Sequence, residues 1–335
     1  MMVAADRELI ARLVAAEAES WMSGNRWLID KGLEADTDWW EVDGAVAFVT
    51  AGIRIPMFNR VLGVEARHAG TGIDAIVRGY RQRGIPPRFD LCPELSSPGL
   101  EAALFESGLE RGTADDDYRR FRVLQLRRGR SGGGELVAQG CGGADELPRG
   151  DVVVRAMTAT DGDIDDWMAI DLAAFGGRRA DLRGRLMATL DQPGVRRFLA
   201  FVEGKAAGLG RMHLVGRRAG FAGALPDGSD GGIVLLNGGG TLPELRGRGC
   251  QQALIAARVA EAVRLGAEMA VSLVAPGSAS DRNLERAGFV VACDREIWME
   301  RAWREDAFYD VAREHADAED PPGACIDGDS GTETS

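Results

Sequence analysis

Leu242-Pro243-Glu244-Leu245-Arg246-Gly247-Arg248-Gly249-Cys250-Gln251-Gln252-Ala253-Leu254-Ile255 is the stretch on which the reading of this chain turns. Just upstream, Ile233–Leu236 is a short apolar run of the kind that forms a buried strand. Downstream, Cys250–Leu265 is Ala-rich and amphipathic and stops at Gly266, as a helix does. The segment between them is therefore a strand-to-helix turn. At a helix start the first N–H groups have no internal partner and the dipole end is positive. Gly247 and Gly249 remove side chains, so a diphosphate can approach the backbone, and Arg246 and Arg248 add charge. The spacing is not a dinucleotide fingerprint, which would need Gly at position 252, nor a Walker loop, which needs Gly-Lys-Ser/Thr. An Arg/Gly-rich surface turn without a ligand is the plain alternative.

Working outward, the same half alternates strand-like and helix-like segments. Val152–Arg155 reads as a strand, Asp161–Phe175 as a helix, and Arg197–Val202 with Ala206–Val215 as a hairpin turning at Glu203-Gly204-Lys205. Met269–Val274 reads as a buried strand, Ser280–Ala287 as a short helix stopped by Gly288, and Phe289–Met299 as one final strand. The N-terminal half reads as helix Asp6–Met22, strands Gly44–Ala51 and Phe58–Val64, helix Ile73–Arg83, strand Arg88–Cys92, helix Pro98–Ser107 and strand Tyr118–Leu126. Between the halves lies a Gly-dense stretch with few apolar residues, which reads as a linker. The expected organisation is a mixed α+β fold: a first domain over 1–127, a linker over 128–150, a second domain over 151–305 and an acidic tail over 306–335.

With these elements in place, the second half resembles the GNAT superfamily of acyl-CoA-dependent N-acyltransferases over about 151–303. Leu242-Pro243 and Arg246-Gly247-Arg248-Gly249 match the family's pyrophosphate loop, with Gln251 where the pattern has Gly or Ala. The order of helix, strand, short helix and Gly288-Phe289 that follows also matches. The resemblance implies acetyl-CoA as co-substrate, no metal, and a small-molecule amine as acceptor. It implies that Thr241 and Leu242 pair with the pantetheine arm. It further implies that Arg246, Gly247, Arg248, Gly249, Cys250 and Gln251 hold the pyrophosphate, with Asn283 near the thioester end. Relatives place a Tyr five residues before the Phe of the Gly-Phe pair, where Leu284 stands here, and a Glu on or near the strand Ile233–Leu242, which holds no carboxylate. Ser280, Asn283 and Glu244 are what the resemblance leaves as catalytic candidates, each with a plain role beside it: helix cap, cap or CoA contact, exposed acid.

The N-terminal half repeats the element order, and Arg67-His68-Ala69-Gly70-Thr71-Gly72 formally fits the same loop. The expectation is thus two GNAT-like units in tandem, the first degenerate and shaping the acceptor site. A non-catalytic acyl-CoA-binding scaffold, or a different acyl-CoA chemistry on this fold, are the competing readings. Cys250, at a helix start, would be a reactive thiol if exposed, or would pack under the loop. His213 is either a base or a satisfied structural residue.

Charge and cysteine content bound the rest. The net charge is −12, and residues 306–335 carry nine acids against one base, so the body is near balance. That argues against a general nucleic-acid binder but not against a polyanionic cofactor. Five scattered cysteines without a CxxC pair, three separated histidines and no basic-then-apolar start lead to the expectation of a cytoplasmic chain with reduced thiols, no metal site and no membrane contact.

Overall fold

A computed structural model describes residues 6–33, 36–51, 56–112, 119–126, 152–175, 179–216 and 232–301. The linker 128–150 and the tail 306–335 lie outside the described residues, as do Cys141, Cys325 and His315. In chain order the first half gives α1 (Arg7–Asp30), β1 (Thr37–Val42), β2 (Ala45–Thr50), β3 (Arg60–Leu62), α2 (Thr71–Gln82), β4 (Arg88–Leu91), α3 (Pro98–Glu106), β5 (Glu110–Arg111) and β6 (Arg120–Gln125). The second half gives β7 (Val152–Ala156), α4 (Asp161–Phe175), α5 (Arg179–Ala188), β8 (Val195–Val202), β9 (Lys205–Val215), β10 (Ile233–Thr241), α6 (Cys250–Arg264), β11 (Met269–Val274), α7 (Ala279–Arg286), β12 (Val290–Asp294) and β13 (Glu296–Met299).

The described strands form two sheets, ordered β1-β2-β3-β4-β13-β5 and β12-β6-β11-β10-β9-β8-β7. Each contains one parallel pair, β3 with β4 and β10 with β11, in an otherwise antiparallel ladder. The halves also exchange strands. β6 runs between β11 and β12 of the second sheet, and β13 runs between β4 and β5 of the first. The single final strand expected over Phe289–Met299 is therefore two strands in two sheets, parted at Arg295. Its apolar alternation is continuous across the break, because each piece is buried in its own sheet, and pattern alone carries no mark of the crossing.

A buried charge cluster fixes this crossing. Arg295, with 0% exposure, donates from Nη1 to Glu17 Oε2 of α1 (2.8 Å) and lies 3.5 Å from Asp90 Oδ2 of β4. Arg60 donates to Glu17 Oε1 (2.7 Å) and Asp90 Oδ2 (2.9 Å), and Arg88 Nε donates to Asp90 Oδ1 (2.6 Å). Burial pushes the Asp90 carboxyl up, but Arg88, Arg295 and Arg60 together hold it well below the ordinary carboxylate range. Close by, the free, buried thiols of Cys92 and Cys293 sit 3.3 Å apart across the halves.

Asp6 caps α1, accepting from the Glu8 N–H (3.0 Å). The helix runs past the expected Met22 to Asp30 because its C-terminal turns find partners in the other half: Trp27 Nε1 donates to Ala188 O of α5 (2.7 Å). Its apolar stripe (Ile10, Leu13, Val14) packs in one core with Val215, Ile233, Leu235, Met269 and Val271, so a helix of the first half covers one face of the second sheet. The opposite face of that sheet is covered by α6, through Leu254, Ile255 and Val259. Strand β1 and helix α5 have no counterpart in the sequence reading. Trp40 of β1, the edge strand of the first sheet, packs at 5.0 Å on Tyr80 with Arg83 over its ring at 4.4 Å.

Candidate functional site

The site begins where two parallel strands separate. β10 pairs with β11 only from Ile233 to Leu235. The next carbonyl, Leu236 O, accepts from Ser272 Oγ of β11 (2.8 Å) in place of a ladder bond. Beyond it, β10 kinks away: its register on β9 shifts between Asn237 and Gly240, and Gly238 takes φ +56°. Gly240 lets the end of α4 settle on this bend, since a Cβ there would meet Ala174 Cβ at 2.8 Å and the Phe175 ring at 3.2 Å. The Leu242 N–H bonds back to Ala207 O of β9 (2.9 Å). By the alternation of an antiparallel ladder, Thr241 then directs its N–H and C=O to the other edge, which β11 has vacated. That edge can take an added extended chain.

The strand ends in a single 3-10 turn, Pro243–Leu245, and the loop enters α6. Gly247 (φ +78°) and Gly249 (φ +86°) both adopt the left-handed conformation, and a Cβ on Gly247 would meet open space. The first helical bond is Ala253 N–H to Gly249 O (3.0 Å), so the N–H groups of Cys250, Gln251 and Gln252 have no helical acceptor. Arg246 and Arg248 are exposed. Arg248 Nη2 rests on Glu203 Oε1 (2.6 Å), and Arg246 has no ion-pair partner among the described residues. The result is a set of N–H donors without helical acceptors, with two guanidiniums in the adjoining loop, directly after an open strand edge.

The face of the sheet towards α4 carries a second group of polar residues. Arg197 of β8, Arg211 of β9 and Asn237 of β10 are direct cross-strand neighbours and so share one face. His213 lies next along β9 on that face, 0% exposed, with Nδ1 2.8 Å from Ser20 Oγ of α1. Burial, then the charges of Arg211 and Arg197, push its pKa down to about 3. On α4, Asp171 follows Ile164, Trp167 and Met168 at helical spacing and precedes Ala174 and Phe175, the residues on the bend, by three and four positions. Burial raises the Asp171 carboxyl above the usual range, against the opposing pull of the Trp167 hydrogen bond and the Arg197 charge.

The fold has a counterpart among solved structures. A GCN5-related N-acetyltransferase from Kribbella flavida superposes with TM-score 0.56 at 14% identity, over 87% of this chain and 95% of that one. The chain has the GNAT fold. Two further structures give a TM-score of 0.49 each. They are a functionally unknown conserved protein from Staphylococcus epidermidis ATCC 12228 (12% identity, 81% and 96% covered) and a GCN5-related N-acetyltransferase from Sphaerobacter thermophilus (14%, 86% and 92%). No family model and no curated protein matches the sequence.

Within the GNAT fold, the residues expected from sequence fall into two groups. Thr241, Arg246, Gly247, Arg248, Gly249 and Gln251 line the open edge and the turn, whereas the Leu242 amide faces β9 instead. Cys250 contributes its backbone but not a reactive thiol: it is 2% exposed and burial raises its pKa. The catalytic candidates are dispersed. Glu244 is exposed in the 3-10 turn. Asn283 Oδ1 accepts from Arg286 on the surface of α7 (2.9 Å). The cap of α7 is Ser278, which accepts from the Asp281 N–H, and not Ser280. Leu284 is in the core, so no polar group occupies the position of the family's Tyr. The loop before α7 is held by Asp281, which accepts from Gly277 N (2.8 Å), Arg120 (3.0 Å) and Arg122 (2.6 Å) of the exchanged strand β6. Among the described residues no helix is long and apolar enough to cross a membrane, and no group of three or more His, Cys, Asp or Glu is placed to hold a metal ion.

In the first half, the Arg67–Gly72 turn does enter a helix, with Gly70 at φ +80°. Its arginine, however, is engaged by Glu65 Oε2 (3.1 Å) and by Asp43 O (3.1 Å), and His68 is buried against the carbonyls of Val42 and Asp43.

His213 carries a pH prediction. Its folded pKa lies below the unfolded value of about 6.5, so the unfolded chain binds the extra proton between those values. Stability from this residue is complete above about pH 6.5 and is lost as pH falls towards 3. From pH 7 to pH 5 the loss should be about 2 kcal/mol. Urea denaturation at the two pH values should show that much less change in His213→Gln than in wild type; equal slopes would refute the assignment.

Proposed function

We propose that the protein is an acyl-CoA-dependent N-acyltransferase that moves an acetyl group from acetyl-CoA to an amine of a small molecule. One observation carries the reading: an open strand edge at Thr241 leads directly into a two-Gly, two-Arg turn whose helix-start N–H groups face outward. An extended arm ending in a diphosphate has that shape and charge order. Thr241 would pair with the arm. Arg246, Gly247, Arg248, Gly249 and the N–H groups of Cys250 and Gln251 would hold the diphosphate, with Arg248 exchanging Glu203 for phosphate.

The thioester end would then lie in the gap between β10 and β11, beside Asn237. There the amine nitrogen attacks the thioester carbonyl carbon. The new C–N bond forms, the C–S bond breaks, and the sulfur leaves as the CoA thiolate, which takes up a proton from water. Asp171, whose carboxyl is raised above the usual range by burial, is the group on the acceptor side suited to receive the amine proton. Holding the two reactants in line supplies a large share of the acceleration. The division into units over 1–127 and 151–305 belongs to the same proposal. The matched strand orders, each with one parallel pair and one exchanged strand, support two GNAT-like units. His68 of the first turn, buried against the carbonyls of Val42 and Asp43, supports a first unit that shapes the acceptor side without binding acyl-CoA.

Isothermal titration with acetyl-CoA tests the reading. Wild type should bind saturably. Arg246→Glu should weaken binding by roughly 10- to 50-fold, as expected for reversing one exposed, partly screened charge beside a diphosphate. The absence of saturable binding by the intact protein would refute the proposal. The buried Leu284 favours one other reading, a non-catalytic acyl-CoA binder; it would be supported by binding without CoA release on any amine tested.

A further inference from the structure

The face opposite α6 holds more positive charge than the fold requires. Arg197 is 7% exposed, yet among the described residues its guanidinium meets only Thr189, at the backbone O (2.8 Å) and Oγ1 (2.6 Å), and the Trp167 ring at 5.8 Å. Its neighbour Arg211 makes no side-chain hydrogen bond or ion pair among the described residues, and its Nε is enclosed without an acceptor. Next to it, the enclosed Oδ1 of Asn237 also has no donor. Arg185 of α5 adds a third positive charge felt at Arg211, and lies over the Phe58 ring of the first half at 5.9 Å. The carboxylate whose charge reaches Arg197 is Asp171, on α4.

Among the described residues four other buried arginines reach carboxylates, whereas Arg258 meets only the backbone carbonyls of Leu254 and Arg211. Arg60 and Arg88 reach Asp90, Arg122 reaches Asp281, and Arg295 reaches Glu17. An Nε closed off without an acceptor costs free energy, and the part-exposed remainder of the Arg211 guanidinium is open to a ligand that supplies one. The cost is visible here: burial, with the neighbouring charge of Arg211, lowers Arg197 to about 9, and burial with Arg185 lowers Arg211 as well. The row also has a definite position. Asn237 stands at the last residue before β10 bends, Arg211 one strand away and Arg197 two, at about 5 Å per strand. If the thioester lies beside Asn237, whatever Arg211 binds is one strand away from the transferred acyl group.

We infer that Arg211, flanked by Arg197 and Asn237, binds an anionic group on the acceptor, so that the substrate is a small amine bearing a carboxylate or a phosphate. The inference rests on the acyltransferase reading above. The anion would accept from the Arg211 guanidinium, and Asn237 Oδ1, which has no donor among the described residues, would accept from the substrate's amine. The amine would lie towards Asp171. A polycationic acceptor would meet like charge on this face.

Matched probes test this on the full chain. β-Alanine is compared with β-alaninamide, and O-phosphoethanolamine with ethanolamine; spermidine represents the polycations. Binding is read by calorimetry with the protein saturated in CoA, and turnover by release of the CoA thiol from acetyl-CoA. In wild type the anionic member of at least one pair should bind, and react by kcat/KM, at least tenfold better than its neutral partner. Which pair responds separates carboxylate from phosphate. Arg211→Gln should bring that ratio to near one with acetyl-CoA affinity unchanged, and Arg211→Lys should restore part of it. Equal binding within both pairs, a preference for spermidine, or a ratio that survives Arg211→Gln in a variant of unchanged melting temperature would overturn the inference. The acetyl-CoA titration is a separate readout, so failure of the acyltransferase reading shows there and not in the probe ratio.

Discussion

Asp171→Asn is expected to lower kcat for acetyl transfer by about 100-fold or more, with acetyl-CoA affinity within about twofold of wild type. The carboxyl sits on the core-facing stripe of α4, one turn before the residues that touch the β10 bend, and burial raises its pKa towards the range of a useful base. Asparagine keeps the size and the acceptor oxygen for Trp167 but cannot take a proton. A base must be ionised to act, so wild-type kcat should fall as pH drops through the raised Asp171 pKa, and this acid limb should vanish in the variant. Stopped-time assays across pH 4–9, with melting temperatures to confirm folding, would measure both. An unchanged kcat and an unchanged limb would remove Asp171 from the mechanism.

The second large effect is on stability. Asp90→Ala should destabilise the protein by roughly 3–5 kcal/mol, because removing one member of a buried ion cluster leaves the others uncompensated. Here the side chains of Arg60, Arg88 and Arg295 are at most 4% exposed; Arg60 and Arg295 would keep Glu17 as a partner, and all three would lose Asp90. Asp90→Asn should cost less, since its amide oxygen still accepts from a guanidinium. The pH profile supplies an independent check. The folded Asp90 pKa is depressed, so its stabilisation is present above the unfolded value of about 3.9 and is lost as pH falls below it. Acid unfolding should therefore be steeper in wild type than in Asp90→Ala. Urea denaturation followed by tryptophan fluorescence would measure these differences, and a loss below about 1 kcal/mol would show that the cluster does not hold the strand crossing.

The turn at 246–249 was legible because it is local. Two glycines, two arginines and an amphipathic helix lie within twenty residues, and the backbone conformation follows from them. Asp171 was hidden by its neighbours. Asp161, Asp163, Asp165 and Asp166 suggest a solvated acidic helix face, and only the spacing from Ile164 and Trp167 puts Asp171 on the apolar side. Arg197, Arg211 and Asn237 lie on three strands and are unremarkable in isolation; ladder register alone makes them adjacent. The same holds for α1, whose apolar stripe signals a buried helix but not which half it covers.

By itself, then, the amino-acid sequence determined most of the elements, though not β1, α5 or the division of the last strand, together with the strand–turn–helix that suits a diphosphate and the repetition of element order in the two halves, because each depends on contacts between residues close in the chain. The tertiary structure decided the exchange of β6 and β13, the buried charges that fix it, and the gathering of Asp171, Arg197, Arg211 and Asn237 on one side of the parted strands. Those depend on register and on burial of charge between segments as much as 278 positions apart, such as Glu17 and Arg295. Periodicity records which way a side chain faces, not what stands opposite it.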